Sequence, residues 1–222
     1  MIEMVNHFES LQLLLKKSPV SASQVIAFNF NVANGIHPDH KKLLFSELIA
    51  IFWEKPRFLG RMSKLILNRT GIEQTSYIEM TNTLWPLFTL PADRLQRLIV
   101  LVGALILGVR IRSSLSREHV TNWKKKLGEE AYRFAMNSAS LLPAAQIPLP
   151  AIASDSAHDI GASAIISAVS AEPEALKSRV SLKLASDVNV IPMEPEKARR
   201  TLLLVMQIVE AEWCSSHAIL RN

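Results

Sequence analysis

The chain has 222 residues, 49% of them hydrophobic and 20% charged, with only seven glycines. That composition builds a core, so it excludes a disordered chain and argues against a β-rich or glycine-rich phosphate-binding protein. The formal charge is +5, and a single cysteine, Cys214, excludes an internal disulfide and any cysteine-based metal cluster.

Met1 to His7 lacks the basic and apolar regions of a secretory signal. Val5 to Lys16, with Met4, Phe8, Leu11 and Leu15 at helical spacing, predicts an amphipathic helix that Ser18-Pro19 ends. Asn34-Gly35 is a turn. His37-Pro38-Asp39 starts a Leu- and Phe-rich helix that runs to Trp53, before Pro56. Phe58 to Asn68 is a further helix with Gly71 as its cap, and Ile72 to Leu84 is a weaker one because of its threonines.

Thr89-Leu-Pro-Ala-Asp93 starts the next helix, whose core face is Leu95, Leu98, Val102, Leu105 and Ile106. Its apolar run, Leu98 to Val109, is well short of the roughly 18 residues a membrane span needs. A core helix is therefore expected in a soluble, cytoplasmic protein. Ser116 caps a helix to Lys126, and Gly128 separates it from Glu129 to Leu141. Pro143, Pro148 and Pro150 mark 143–159 as a linker. Helices follow at Ile160–Ala171, Glu174–Ala185 and Pro195–His217, with 188–191 extended. The expected fold is an all-α, irregular bundle of eight or nine helices, with a lobe at 1–142 and another at 160–222.

The catalytic signatures are missing. No Gly-Lys-Ser/Thr phosphate loop and no Gly-x-Ser-x-Gly elbow occur. His37 and His40 stand three apart, but a metal wants three or four such ligands, so they read as a helix start. Ser154, Ser156, His158 and Asp159 are too close in sequence to build a triad. Cys214 has only His217 near it in sequence, which makes a thiol nucleophile a poor reading. No catalytic, cofactor-binding or metal residues are assigned, and no cofactor is expected.

Charge is uneven along the chain. Between Arg94 and Arg133 lie nine basic residues (Arg94, Arg97, Arg110, Arg112, Arg117, Lys124, Lys125, Lys126 and Arg133) and three acidic ones (Glu118, Glu129 and Glu130). Such a surface steers an acidic partner, protein or nucleic acid. As a DNA-recognition helix, Arg117–Lys126 would need a shorter turn before it than Val109–Leu115 provides. A basic helical nucleic-acid-binding protein is the alternative reading, and a helical enzyme acting on an apolar substrate a third.

Four segments in order carry a resemblance: Leu84-Trp85, Leu90-Pro91-Ala-Asp-Arg-Leu-Gln-Arg-Leu98, Leu101-Val-Gly-Ala-Leu105 and Leu127-Gly-Glu-Glu-Ala-Tyr-Arg-Phe-Ala135, preceded by Ile36-His37-Pro38. Over roughly residues 36–142 the chain resembles the type III secretion sorting-platform adaptors, the SctK family, which includes YscK, PscK, MxiK and OrgA. The resemblance implies a non-enzymatic helical bridge on the cytoplasmic face of the injectisome. Its implied partners are the cytoplasmic domain of the inner-membrane ring protein and the C-ring-like pod protein, with the stator-like protein nearby. Neither nucleic acid nor a membrane span belongs to that role. The residues expected to dock on an acidic partner are Arg110, Arg112, Lys124, Lys125 and Lys126, with Trp123 as an aromatic anchor.

Overall fold

Ser18-Pro19 starts a helix rather than ending one. The Ser18 hydroxyl accepts from the Ser21 amide and Pro19 takes the first helical position, so α1 runs Pro19–Phe30. The computed structural model describes residues 18–45, 55–72, 82–113, 116–138 and 156–218, with Gln12, Leu15, Lys16, Trp53 and Tyr77 besides. The described residues are helices and connections, with no strand among them, so the protein is all-α. Most of the helix expected at Val5–Lys16 lies outside them, although Gln12, Leu15 and Lys16 are helical.

Two compact units share the chain. One holds Met1–Ala92, Glu172–Asp187 and Glu210–Asn222; the other holds Asp93–Ala171 and Val188–Val209. The units are interleaved along the chain: Asp93 begins the second, and Glu172–Asp187 and Glu210–Asn222 return to the first.

In the first unit a 3₁₀ turn, Val32–Asn34, leads to α2, Pro38–Leu44. The His37 ring caps α2 by accepting the Asp39 amide. The helix expected to reach Trp53 breaks at Phe45, whose backbone is extended (φ −141°, ψ 144°) so that its ring enters the core. Helix α3, Pro56–Arg69, buries Met62, Ile66 and Leu67 against Val32, Ala33, Ile36 and Phe45. Gly71, at φ +67°, closes it as expected. Of the weak helix read over 72–84, 73–76 and 78–81 lie outside the described residues, and Ile72, Tyr77 and Asn82 are not helical. Instead Asn29 makes a paired contact there: its amide donates to the Tyr77 carbonyl and accepts the Tyr77 N–H.

The Leu84-Trp85 segment forms α4, Trp85–Phe88, every residue of it buried. Trp85 stands edge-on to Phe28 and Phe88 at 5.7 and 5.8 Å. Two later segments fasten it. From α8, Glu174–Ser181, the chain continues to Lys183, whose ammonium donates to the carbonyls of Phe88 and Leu90 at 2.7 and 2.8 Å. Burial pushes the Lys183 pKa down to about 7, although two carbonyl acceptors favour the charged form. From α10, Ala211–Ala218, the Trp213 indole donates to the Pro86 carbonyl.

The second unit is built on α5, Ala92–Ser113, which buries twelve of its residues from Leu95 to Ile111. Helix α7, Ala157–Ala168, crosses it backbone to backbone. A Cβ at Gly103 would lie 1.8 Å from the Ala157 carbonyl oxygen, and one at Gly161 would lie 1.9 Å from that of Ile99. Only glycine permits that approach. Residues 143–155 of the expected linker lie outside the described residues. Ser156 to Asp159, read as the end of that linker, are instead the cap and first turn of α7, with the Ser156 hydroxyl accepting the Asp159 amide. The last helix expected, Pro195–His217, is two: α9, Pro195–Val209, packs on α7, and the chain breaks at buried Glu210 before α10. In chain order α6, Arg117–Asn137, lies between α5 and α7.

Candidate protein-docking surface

Helix α6 begins where the Ser116 hydroxyl accepts the His119 amide, the cap expected there. Gly128, at φ +79° and ψ 163°, bends it into two halves, as its position in the sequence predicts. Across 21 residues α6 buries only Leu127, Ala131 and Ala135, a leucine and two alanines. Its larger side chains stay outside the core. Trp123, Tyr132 and Phe134 are half-buried, and Met136 is exposed.

Two rings of α6 carry lysines. The Lys126 ammonium lies 5.5 Å from the Trp123 ring and that of Lys124 lies 5.3 Å from the Tyr132 ring. Glu129 links the two halves across the bend. Lys124 from the first half reaches it at 3.3 Å and Arg133 from the second at 2.9 Å. The Lys124 hydrogen bond, with Arg133 adding its own, holds the Glu129 carboxyl below its usual range, so it is ionised at neutral pH. Arg97 of α5 pairs with Glu130 in the same unit.

The expected docking residues divide by what they touch. Lys125 is exposed, and Lys126 is exposed above Trp123. Lys124 is engaged with Glu129. Arg110 is half-buried on the last turn of α5. The half-buried Arg112 faces inward, donating to the Ala135 carbonyl at 2.9 Å, so it clips α5 to α6. Lys126 also borders a concavity of about 370 Å³ with Val100, Ser156, Ala157 and His158. Among the described residues no group of histidine, cysteine or acidic side chains could hold a metal ion. His158 contacts Gln96, and His40 meets the Ser181 carbonyl. Cys214 is half-buried on α10.

The Leu127–Ala135 segment thus divides cleanly. Its Leu and Ala residues face in, while Glu129, Glu130 and Arg133 face out. Residues 24–215 match the family described as YOP proteins translocation protein K (YscK). This chain belongs to the YscK family. It is therefore a type III secretion protein, of a family not known for enzymes. No curated protein and no solved structure matches it. The match reaches well beyond the 36–142 resemblance, from residue 24 within α1 to residue 215 within α10. No described helix of this YscK-family chain is long and apolar enough to cross a membrane.

Sequence reasoning missed Glu129, Tyr132, Arg133 and Met136. The signal was present, since Glu129 and Arg133 stand at i, i+4, and so do Tyr132 and Met136.

Proposed function

We propose that this YscK-family protein is a non-enzymatic adaptor at the cytoplasmic face of the injectisome. It bridges the cytoplasmic domain of the inner-membrane ring protein to the C-ring-like pod protein, with the stator-like protein as a neighbour. The observation that supports a docking role is α6, a long helix that keeps its aromatic and cationic side chains outside the core. Tryptophan, tyrosine and arginine are the residue types that carry interface energy. The docking set is Trp123, Lys124, Lys125 and Lys126, with Arg110 at its edge on α5; Arg112, also expected there, is held inward on the Ala135 carbonyl. Cations of this kind raise the association rate with an acidic surface more than the final affinity.

The test is complex formation by size-exclusion chromatography with light scattering, the chain mixed with the ring domain, with the pod protein, and with both. The expected result is a complex with each and a ternary complex with both. No complex with either at low salt overturns the adaptor. Reversing Lys125 and Lys126 to glutamate slows association and flattens its salt dependence; an unchanged rate removes those lysines from the interface. Duplex DNA is the control, because binding through phosphates shows a steep log–log salt slope.

A further inference from the structure

The Glu129 cluster sits at an unusual place for an ion pair. Its carboxylate is shared by Lys124 and Arg133, one on either side of the Gly128 bend, and all three side chains are substantially exposed (49, 42 and 73%). An exposed pair of this kind adds little to folding. Tyr132 lies beneath Lys124, and the exposed Met136 is one turn beyond Tyr132. Glu129, Tyr132, Arg133 and Met136 therefore follow helical spacing along one stripe: an acid, a ring, a cation and an apolar tip.

We infer that Glu129 occupies the place of a partner's carboxylate, and that the stripe takes an acidic amphipathic helix of a partner protein. This rests on the reading of α6 as a protein-docking helix. In the complex a carboxylate of the incoming helix replaces Glu129 between Lys124 and Arg133, and Glu129 turns to solvent. One turn along, an apolar residue of that helix covers Tyr132 and Met136. A helical partner fits because the charged and apolar groups here repeat at the pitch of a helix turn. It is acidic because the cluster it meets holds two cations, Lys124 and Arg133, for the single carboxylate of Glu129. The internal carboxylate keeps the cations paired while the surface is free, so a stray anion gains little, whereas a partner that also covers the apolar stripe gains both contacts.

The inference makes an uncommon demand: removing a residue of the docking face must tighten binding. The probe is a fluorescein-labelled helical peptide of Glu-Leu-Leu-Glu repeats, read by fluorescence anisotropy against the full chain at low salt, with a Lys-Leu-Leu-Lys peptide as control. Glu129→Gln is expected to tighten binding at least about three-fold, as the release of a competing charge pair implies. Glu130→Gln makes the same change in net charge one residue away, on the Arg97 pair, and is expected to shift affinity less than about two-fold. Arg133→Gln weakens binding, and Tyr132→Ser with Met136→Ser weakens it about ten-fold, on the scale of lost apolar anchors. All five positions are exposed or half-buried, and circular dichroism checks the fold of each variant. Equal responses to Glu129→Gln and Glu130→Gln, no effect of Tyr132→Ser with Met136→Ser, or no binding of the acidic peptide overturns the inference. The ring-domain and pod-protein mixtures report on the adaptor separately, so either reading can fail while the other stands.

Discussion

Helices α5 and α6 are consecutive and nearly equal in length, 22 and 21 residues, yet one buries twelve residues and the other three. Helix α5 is apolar around most of its circumference from Leu98 to Gly108, and a helix of that kind must be surrounded. Helix α6 has a narrow inner stripe of Leu127, Ala131 and Ala135, which lets it lie against the unit without giving up its large side chains. The difference assigns each a role. Substitutions in α5 report on folding, and substitutions on the outer face of α6 report on docking.

The sharpest way to break that contrast is Gly103→Ala in α5. The added methyl would meet the Ala157 backbone, so the α5–α7 crossing must open, at a cost of about 1–3 kcal/mol or more. A chemical-denaturant titration measures it, and an unchanged midpoint would show that the helices separate freely. Lysines extend the contrast. Lys183 faces inward and has its pKa at about 7, below the unfolded value of about 10.4. The folded state therefore binds fewer protons between those values, and stability rises with pH from about 7 towards 10.4. Lys183→Met removes that rise, whereas Lys125→Met, on the exposed face of α6, keeps it; denaturation across pH 6–10 distinguishes them.

Gly128→Ala tests the bend. No atom lies within 4 Å of the new methyl, so the whole cost is backbone strain at φ +79°, about 1–3 kcal/mol. A smaller loss, about 1 kcal/mol, is expected for Arg112→Met, which removes the hydrogen bond to Ala135. Smallest of all, Met136→Ser should change stability by no more than about 0.5 kcal/mol, since the side chain is exposed. A large drop there would place α6 in the core and take away its claim to be a docking surface.

Local signals were legible where one residue settles one backbone feature. Ser116 as a cap, Gly128 as a break and Gly71 as a helix end all follow from side-chain chemistry at their own positions. Ser18-Pro19 misleads because serine before proline both ends and begins helices, and only the apolar content of Pro19–Phe30 distinguishes them. The break at Phe45 has no glycine or proline to announce it; the chain turns there because the core takes the ring. Contacts such as Lys183 with Phe88 and Trp213 with Pro86 span 95 and 127 residues, and no periodicity carries them. At the site, the charge run 124–126 was visible as composition. The Glu129–Arg133 pair was legible as an i, i+4 spacing, but the Lys124 contact was not, because it crosses the bend at Gly128.

The interleaving of the two units has a consequence for how the protein is made. A ribosome releases Trp85–Phe88 long before Lys183, and longer still before Trp213, so the first unit waits with α4 unfastened while most of the second is synthesised. The second unit has all its segments once Val209 emerges. Until those segments emerge, α4 has Phe28 of α1 against Trp85 and Phe88 but lacks the hydrogen bonds that Lys183 and Trp213 supply.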